Sequence, residues 1–254
     1  MLLVIDIGNT NTVMGIFDDK LLLKDWRIRT ERNATADEFN IIISSLLYQG
    51  GIRASDIDRT IISCVVPPVV ANMDAFCRKH LKHAPHWVDA KSTRQMPILY
   101  SNPDEVGADR IVNAVAAFQL YQQSLIVIDF GTATTFDAIS EKGEYLGGAI
   151  SPGITIAAES LFKNASKLPR VDLIAPPEKV IGKDTVNSIK AGVIFGYAGL
   201  VDGIVFRMKK EMGTEPKVIA TGGLAVLLSN VSETIEQVEP HLTLNGLRII
   251  ADGL

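Results

Sequence analysis

The sequence has only two cysteines, Cys64 and Cys77, in 254 residues. Neither has a second Cys or a His at the spacing typical of zinc ligands. Three histidines follow Cys77, but they lie in a stretch rich in Lys and Arg that is more typical of a solvated surface; they are His80, His83 and His86. We therefore expect no zinc site. So few cysteines fit a reducing compartment, and we expect a cytoplasmic protein.

The sequence also lacks an excess of basic residues. It has 25 Lys and Arg against 29 Asp and Glu, which gives a net charge of −4. A nucleic-acid binder needs Lys and Arg concentrated on one face to attract phosphate, so this function class is disfavoured. A small anionic ligand held by a few groups remains compatible with the charge.

Long hydrophobic runs are missing as well. The apolar run at the N-terminus is five residues long and has no basic region before it, so it is too short for a signal peptide. No later apolar stretch is expected to reach the length of a membrane-spanning helix, and we expect no membrane association. No Walker A sequence is present, which excludes a P-loop mechanism.

What the sequence does contain is a duplicated motif. An apolar strand ends in Asp6, followed by Gly8 and a turn rich in Thr and Asn, and the same pattern recurs 123 residues later at Asp129 and Gly131. A chain that repeats itself in this way is typical of two related lobes facing one cleft. We predict lobes of residues 1–123 and 124–254.

Each predicted lobe has the order three strands, helix, strand, helix. The strands after Asp6 and Asp129 follow at once, so each turn joins two strands and does not precede a helix. The fold class is therefore α/β, with a mixed sheet flanked by helices in each lobe. Residues 91–105 form the least regular stretch, and a helix from Gly107 to about Gln122 follows.

Asp6 and Asp129 are the first candidates for chemistry. A lone strand-end Asp before Gly is more often a turn residue, but the duplicate favours a functional interpretation. Carboxylates suit Mg²⁺, which accompanies ATP. Short hydroxyl and amide side chains in both turns, and the close approach that glycine permits, suit phosphate, although Thr is also common in strands for its β-propensity.

Asp109 and Arg110 open the helix after the irregular stretch. One interpretation is structural: Asp is favourable in a first helical turn, and Arg is solvated. The functional interpretation is a general base beside an Arg that binds a substrate carboxylate. Tyr100, just upstream, could close over such a substrate.

A long predicted helix, residues 185–211, contains four glycines: Gly192, Gly196, Gly199 and Gly203. Each interior helical glycine costs about 1 kcal/mol relative to alanine, so we expect close packing of another backbone here. That backbone could belong to the core of the lobe or to a second subunit.

The doubled strand order with an Asp-x-Gly turn in each half resembles the actin-like, Hsp70-like and sugar-kinase ATPases, which have a duplicated ribonuclease H-like fold. More specifically, the chain resembles the type III pantothenate kinases. The resemblance lies in six motifs in the family's order, namely Asp6–Asn11, Pro103–Arg110, Asp129–Asp137, Gly147–Gly153, Gly182–Thr185 and Thr221–Leu224.

The resemblance implies phosphorylation of pantothenate by ATP, the first step toward coenzyme A. It implies that Asp109 is the catalytic base. The substrate would contact Tyr100, Gly107, Ala108, Asp109, Arg110 and Thr185. ATP would contact Asp6, Ile7, Gly8, Asn9, Thr10, Asn11, Thr12, Val13 and Thr132.

The resemblance also implies a monovalent cation, K⁺ or NH₄⁺, bound by Asp129, besides Mg²⁺. Mg²⁺ would then lie near Asp6. The family is dimeric, with the pantothenate site near the subunit interface, which suits the glycine-rich helix. One alternative is a regulatory homologue that binds nucleotide or pantothenate without turnover, and another is a kinase for a different small hydroxy acid.

Overall fold

The computed structural model describes residues 1–90, 96–165 and 167–254. The first five residues of the expected irregular stretch, 91–95, lie outside this range. The strands are β1 (Leu2–Ile7), β2 (Asn11–Asp18), β3 (Leu21–Arg29), β4 (Arg59–Cys64), β5 (His86–Trp87), β6 (Leu125–Phe130), β7 (Ala133–Ile139), β8 (Tyr145–Pro152), β9 (Lys217–Gly222) and β10 (Gln237–Val238). The α-helices are α1 (Ala36–Gln49), α2 (Pro67–Phe76), α3 (Ala108–Tyr121), α4 (Ile154–Asn164), α5 (Thr185–Met212), α6 (Ala225–Ser229) and α7 (Leu242–Asp252).

The strands form two five-stranded sheets with the same internal order. The first runs β3-β2-β1-β4-β5, and the second, written from its other edge, runs β8-β7-β6-β9-β10. In both, the first three strands are antiparallel and the last two run parallel to the central strand. The expected α/β class and the repeated strand order are confirmed.

The central strand β1 is buried on both faces. Leu3, Ile5 and Ile7 pack with apolar residues of α1 and α2 in one core cluster. On the opposite face, α7 covers the sheet, since a methyl group added to Gly15 would lie 3.2 Å from both Val4 and Leu244. A strand of near-continuous Leu, Val and Ile is what burial on two faces requires.

Helix α1 begins with a capping box. Thr35 accepts a hydrogen bond from the N–H of Glu38, and the Glu38 carboxylate accepts one from the N–H of Thr35. Such reciprocal bonds satisfy two backbone donors that the helix itself leaves open. Thr35 is therefore the N-cap residue of α1.

The second sheet packs its core face against α5. Ile126, Ile128 and Phe136 share a core cluster with Ile194 and Val201 of this helix. The hydroxyl of Tyr197, also on α5, lies 2.8 Å from Oγ1 of the fully buried Thr134 on β7. Helix α5 is therefore the main cover of this sheet on one side.

The chain forms two compact units, residues 1–116 with 242–254 and residues 117–241. The predicted lobe boundary, 123/124, lies a few residues after the boundary between these units at 116/117. Helix α7 belongs to the first unit, whereas the predicted second lobe included it. Gly246 explains why: a methyl group there would lie 2.3 Å from the carbonyl oxygen of Val112 on α3. The sequence repeat, 1–123 and 124–254, stays a prediction.

Helix α5 corrects the expectation that no apolar stretch is long enough to span a membrane. It has 28 residues, and an 18-residue window within it has a mean hydropathy of 1.6, so by length and composition alone it could span one. A core helix of a globular unit has the same character, and one face of α5 is such a core element. Three of its glycines, Gly192, Gly196 and Gly199, have open space where a side chain would be, so they do not serve the core of this unit.

Candidate functional site

The hairpin between β1 and β2 carries the first set of expected site residues. The last strand pair is Ile7 with Thr12, and inside it the N–H of Gly8 donates to the carbonyl of Asn11 at 3.0 Å. Asn9 and Thr10 are exposed at the tip. The expected strand-to-strand turn is thus confirmed, with a carboxylate, Asp6, half-buried just before it.

Helix α3 begins next to the end of β1. The N–H of Val65 donates to the carbonyl of Ile7 at 3.1 Å, and a methyl group on Gly107 would lie 3.8 Å from the Val65 side chain. The start of α3 and the hairpin are therefore neighbours within the first unit. Tyr100 is half-buried upstream, and the short 3₁₀ turn Pro103–Glu105 leads from it into the helix.

Asp109 lies over the open backbone at the start of α3. Its Oδ1 accepts the N–H of Arg110 at 2.8 Å, and a methyl group on Gly107 would approach that oxygen to 2.6 Å. A residue with a side chain at 107 would therefore displace the carboxylate. The Arg110 side chain is 7% exposed, so it is not the solvated arginine of the structural interpretation.

The environment of Asp109 shifts its acidity. Burial raises the pKa of the Asp109 carboxyl above its ordinary value, because a carboxylate loses solvation there, while the Arg110 N–H and charge act in the opposite direction. A carboxylate with a raised pKa is a better proton acceptor than an exposed one. Groups with such shifts concentrate at functional sites.

The second hairpin, between β6 and β7, repeats the first within the other unit. Asp129 stands next to the end of β6, and the N–H of Gly131 donates to the carbonyl of Ala133 at 3.1 Å. Thr132 is exposed at the tip. This turn is one residue shorter than its counterpart, since the flanking pair is Phe130 with Thr134.

Two glycines that the sequence marked only as members of motifs lie against this hairpin. A methyl group on Gly222 would lie 2.6 Å from Oδ1 of Asp129, and one on Gly153 would lie 2.3 Å from the carbonyl oxygen of Thr132. Gly222 also has a φ of +92°, which side chains rarely adopt. Carboxylate and carbonyl oxygens with hydroxyls nearby form a donor set that fits a hard cation.

Behind this hairpin lies a buried carboxylate. Asp137 is fully buried and accepts hydrogen bonds from the hydroxyl of Tyr145 at 2.7 Å and from that of Thr135 at 3.2 Å. Thr135 pairs with Asp129 across the two strands. The sequence placed Asp137 in a motif without a role, and its contact with Tyr145 joins β7 to β8.

Thr185 is the first residue of α5 and is exposed. The preceding Asp184 caps the helix by accepting the N–H of Asn187 at 2.8 Å, which lowers the pKa of that carboxyl. An open groove of about 710 Å³ lies here, lined among others by Thr185, Ser188 and Gly192. Thr185 is thus positioned to contact a small ligand.

No group of three or more His, Cys, Asp or Glu that could hold a metal ion occurs in the described ranges. Two of the histidines after Cys77 have other partners: His80 lies 3.0 Å from the Asp37 carboxylate, and His83 lies 2.8 Å from the Thr60 hydroxyl. Burial raises the pKa of the Cys77 thiol to about 12, so it stays protonated.

Residues 2–207 match the model of a protein family described as type III pantothenate kinase. The chain belongs to the type III pantothenate kinase family. A type III pantothenate kinase of Desulfatibacillum aliphaticivorans is 64% identical over 252 residues, covering 99% of this chain and 98% of that protein. One of Desulforapulum autotrophicum is 63% identical over 253 residues, covering 99% and 97%.

Solved structures agree on the fold of this pantothenate kinase family member. The polyphosphate/ATP-glucomannokinase of Arthrobacter sp. strain KM superimposes with a TM-score of 0.52 at 16% identity, covering 100% of this chain and 99% of that one. At this identity the likeness shows the fold alone. It confirms the expected sugar-kinase type of architecture.

The buried carboxylate of Asp109 predicts a pH-dependent stability. Its pKa is higher in the folded than in the unfolded state, so its cost to folding grows as the pH rises above the unfolded pKa and is complete above the folded pKa. We expect Asp109→Asn to raise the melting temperature at pH 7, and the gain to shrink as the pH falls toward about 4, where unfolded carboxyls protonate. Thermal unfolding followed by circular dichroism measures this.

The matched control is Asp25→Asn, since Asp25 is exposed on β3 and its replacement should change the melting temperature little at either pH. An Asp109→Asn protein less stable than the wild type at pH 7 would contradict the prediction that the Asp109 carboxylate destabilises the folded state.

Proposed function

We propose that this chain is an ATP-dependent pantothenate kinase of coenzyme A biosynthesis, in which Asp109 is the catalytic base. The family match supports the reaction, and the observation that carries the mechanism is the half-buried Asp109 next to the buried Arg110. Phosphoryl transfer needs a hydroxyl oriented toward the γ-phosphate and a group that takes its proton. Asp109, with its raised pKa, takes that proton as the oxygen–phosphorus bond forms and ADP leaves.

Arg110 is proposed to bind the carboxylate of pantothenate. Its guanidinium offers parallel donors that match a carboxylate, and the low exposure of the side chain strengthens such a bond. Gly107, Ala108 and Tyr100 complete this part of the substrate contact. Thr185 contributes a hydroxyl from the groove at the start of α5.

ATP is proposed to bind along the first hairpin, from Asp6 to Val13. The backbone N–H groups of its exposed turn suit phosphate, and Gly8 permits a close approach. Thr132 is the proposed ATP contact of the second hairpin.

A kinase of this type takes ATP together with a divalent metal ion, and we assign Mg²⁺ to the neighbourhood of Asp6. The monovalent cation, K⁺ or NH₄⁺, is assigned to Asp129, where carbonyl oxygens of the tight turn supplement the carboxylate. The two ions would offset phosphate charge in the transition state. Asp6 and Asp129 would hold the ions, the two hairpins would orient the phosphates, and Asp109 would take the proton of the substrate hydroxyl.

The catalytic role predicts a kinetic pattern for Asp109→Asn. Loss of a general base reduces turnover by about 10²- to 10⁴-fold. Binding of ATP and pantothenate should remain within a few-fold, since Asn keeps the shape and can still accept the Arg110 N–H. Steady-state kinetics and titration calorimetry measure both, with Asp25→Asn as the control. A kcat near the wild-type value would remove Asp109 from the base role.

The cations are tested by an ADP-release assay with pantothenate and ATP. We expect no turnover after chelation of Mg²⁺, and strong stimulation by K⁺ or NH₄⁺ over Na⁺. Asp129→Asn should lose the stimulation, whereas Asp172→Asn, at an exposed position of the same unit, should keep it. Equal rates in Na⁺ and K⁺ would refute the monovalent site. ADP release that pantothenate does not increase would refute the function itself.

The proposed partner is a second copy of the chain, bound along α5. The open glycines Gly192, Gly196 and Gly199 allow another backbone to approach, and Leu200 and Phe206 are exposed on the same helix. Exposed apolar side chains next to small residues are typical of an interface. The substrate groove next to Gly192 would then lie near the interface.

Sedimentation tests the dimer. Gly196→Leu should give a monomer because its side chain occupies the space that the second backbone needs. Glu211→Leu adds the same side chain at an exposed position near the end of α5 and should leave the dimer intact. A Gly196→Leu protein that remains dimeric would contradict this interface.

We assign the protein to the cytoplasm. Helix α5 passes a length and composition test for a membrane helix, but its buried face packs on the second sheet through Ile194 and Val201. The proposed dimer would cover its exposed face. Recovery of the enzyme in the membrane fraction would contradict the assignment.

A further inference from the structure

Thr30, just after β3, contacts the first hairpin at three alternate positions, 8, 10 and 12. Its hydroxyl donates to the carbonyl of Gly8 at 2.7 Å, and its N–H donates to the carbonyl of Thr10 at 2.9 Å. Its Oγ1 also lies 2.9 Å from Oγ1 of Thr12, a side chain that is only 4% exposed. The side chain of one residue outside the turn thus holds the turn on one side.

The number of protons fixes the direction of these bonds. The Thr30 hydroxyl has a single proton, which it gives to the Gly8 carbonyl, so Thr12 must be the donor in the contact between the two hydroxyls. The result is a chain from Thr12 through Thr30 to Gly8. Such a chain leaves no alternative rotamer for Thr30 that satisfies both neighbours.

The bonds also fix which way the peptide groups face. In a trans peptide, the carbonyl and the following N–H point in opposite directions. The carbonyls of Gly8 and Thr10 point toward Thr30, so the N–H groups of Asn9 and Asn11 point away from it. Two backbone N–H groups of the turn are thus directed to the same side, away from Thr30, where they can donate to an anion.

A second contact comes from the same segment. Arg32 donates to Oδ1 of Asn9 at 3.3 Å, so the side-chain carbonyl of Asn9 also has a donor from the segment after β3. The carbonyl oxygens of Gly8 and Thr10 and the side-chain oxygen of Asn9 thus all accept from this segment, and the positive Arg32 guanidinium stands at the exposed tip of the turn. Both effects favour a negatively charged ligand.

The second hairpin is an internal comparison. Thr12 pairs with Ile28, and its counterpart Thr134 pairs with Ser151, so Gly153 occupies the position of Thr30. Its N–H donates to the carbonyl of Thr132 at 3.1 Å, just as that of Thr30 donates to Thr10. The backbone contact is therefore kept in both copies.

The side-chain contact is not kept. A methyl group at position 153 would lie 2.6 Å from the carbonyl oxygen of Gly131 and 2.3 Å from that of Thr132, so no side chain fits there. The second hairpin therefore receives no hydroxyl from this position, while the first one does. The two turns share a scaffold and differ in the group that faces their carbonyls.

We propose that Thr30 is a positioning residue for the triphosphate of ATP: its hydroxyl holds the Gly8 carbonyl and so directs the N–H groups of the hairpin toward phosphate. The proposal rests on the proposed binding of ATP by residues 6–13. Thr30 lies outside residues 6–13, and its effect is confined to the recognition of phosphate.

The test compares Thr30→Val, which keeps the shape and removes the hydroxyl, with Thr30→Ser, which keeps the hydroxyl. A hydrogen bond of this kind contributes about 0.5–1.5 kcal/mol, which corresponds to a two- to tenfold change. We expect Thr30→Val to weaken ATP binding and raise the KM for ATP about tenfold, with the KM for pantothenate within twofold. Thr30→Ser should restore the KM for ATP to within threefold of the wild type.

Thr60→Val is the matched control. Thr60 is buried in the same unit, and its hydroxyl contacts His83. It should leave the KM for ATP unchanged even if it lowers the melting temperature. Thr30→Ala provides a second protein without the hydroxyl if Thr30→Val does not fold. The proposal is overturned if both KM values change together, if Ser does not rescue, or if Thr60→Val raises the KM for ATP equally.

Calorimetric titration of the wild type with ATP separates this proposal from the proposed function. If the wild type binds ATP and Thr30→Val binds it equally well, the role of Thr30 is refuted while the function stands. If the wild type binds no ATP, the proposed function fails, and the role of Thr30 with it.

Discussion

The backbone N–H and C=O groups of the turns after β1 and β6 lie beyond the regular strand pairing, so they must form hydrogen bonds with other groups. The ligand that we propose for each turn depends on which groups those are. In the first half, donors from the segment after β3 bind the carbonyls of Gly8 and Thr10, which directs the N–H groups of Asn9 and Asn11 away from that segment. In the second half, Gly153 fits where no side chain could, next to the carbonyls of Gly131 and Thr132. In the proposed function, one backbone scaffold would thus serve two kinds of ion.

The two copies of the duplicated motif differ physically in the groups that face the carbonyls of their turns. The aspartates are the same in both copies, so they cannot explain why one turn would bind phosphate and the other a cation. The neighbours can: Thr30 and Arg32 supply donors to one turn, and Gly222 allows the Asp129 carboxylate to lie close to the backbone at the end of β9. In the proposed function, the charge preference of each turn would therefore be set by residues outside the duplicated motif.

Much of the fold could be predicted from the sequence because local pattern determines it. The apolar run of β1, the Thr35 cap and the long helix after Asp184 are each recorded in neighbouring residues. The position of α7 was not predictable in this way, since it depends on Gly246 meeting Val112, more than a hundred residues earlier. The membrane-like composition of α5 is not evident as an uninterrupted apolar run in the sequence, because Lys190 and Asp202 lie within it.

The candidate site also combines features that local sequence predicts with features that only the packed structure determines. Asp109 and Arg110 could be selected from the sequence, but whether they were solvated or buried could not, because burial is a property of the packed unit. The loss of solvation at Asp109 has two consequences. Loss of solvation raises the pKa of the Asp109 carboxyl and thereby improves it as a proton acceptor, and the same loss costs the folded state stability at neutral pH. Selection for catalysis would keep the carboxylate despite this cost, since an amide at position 109 would remove both effects together.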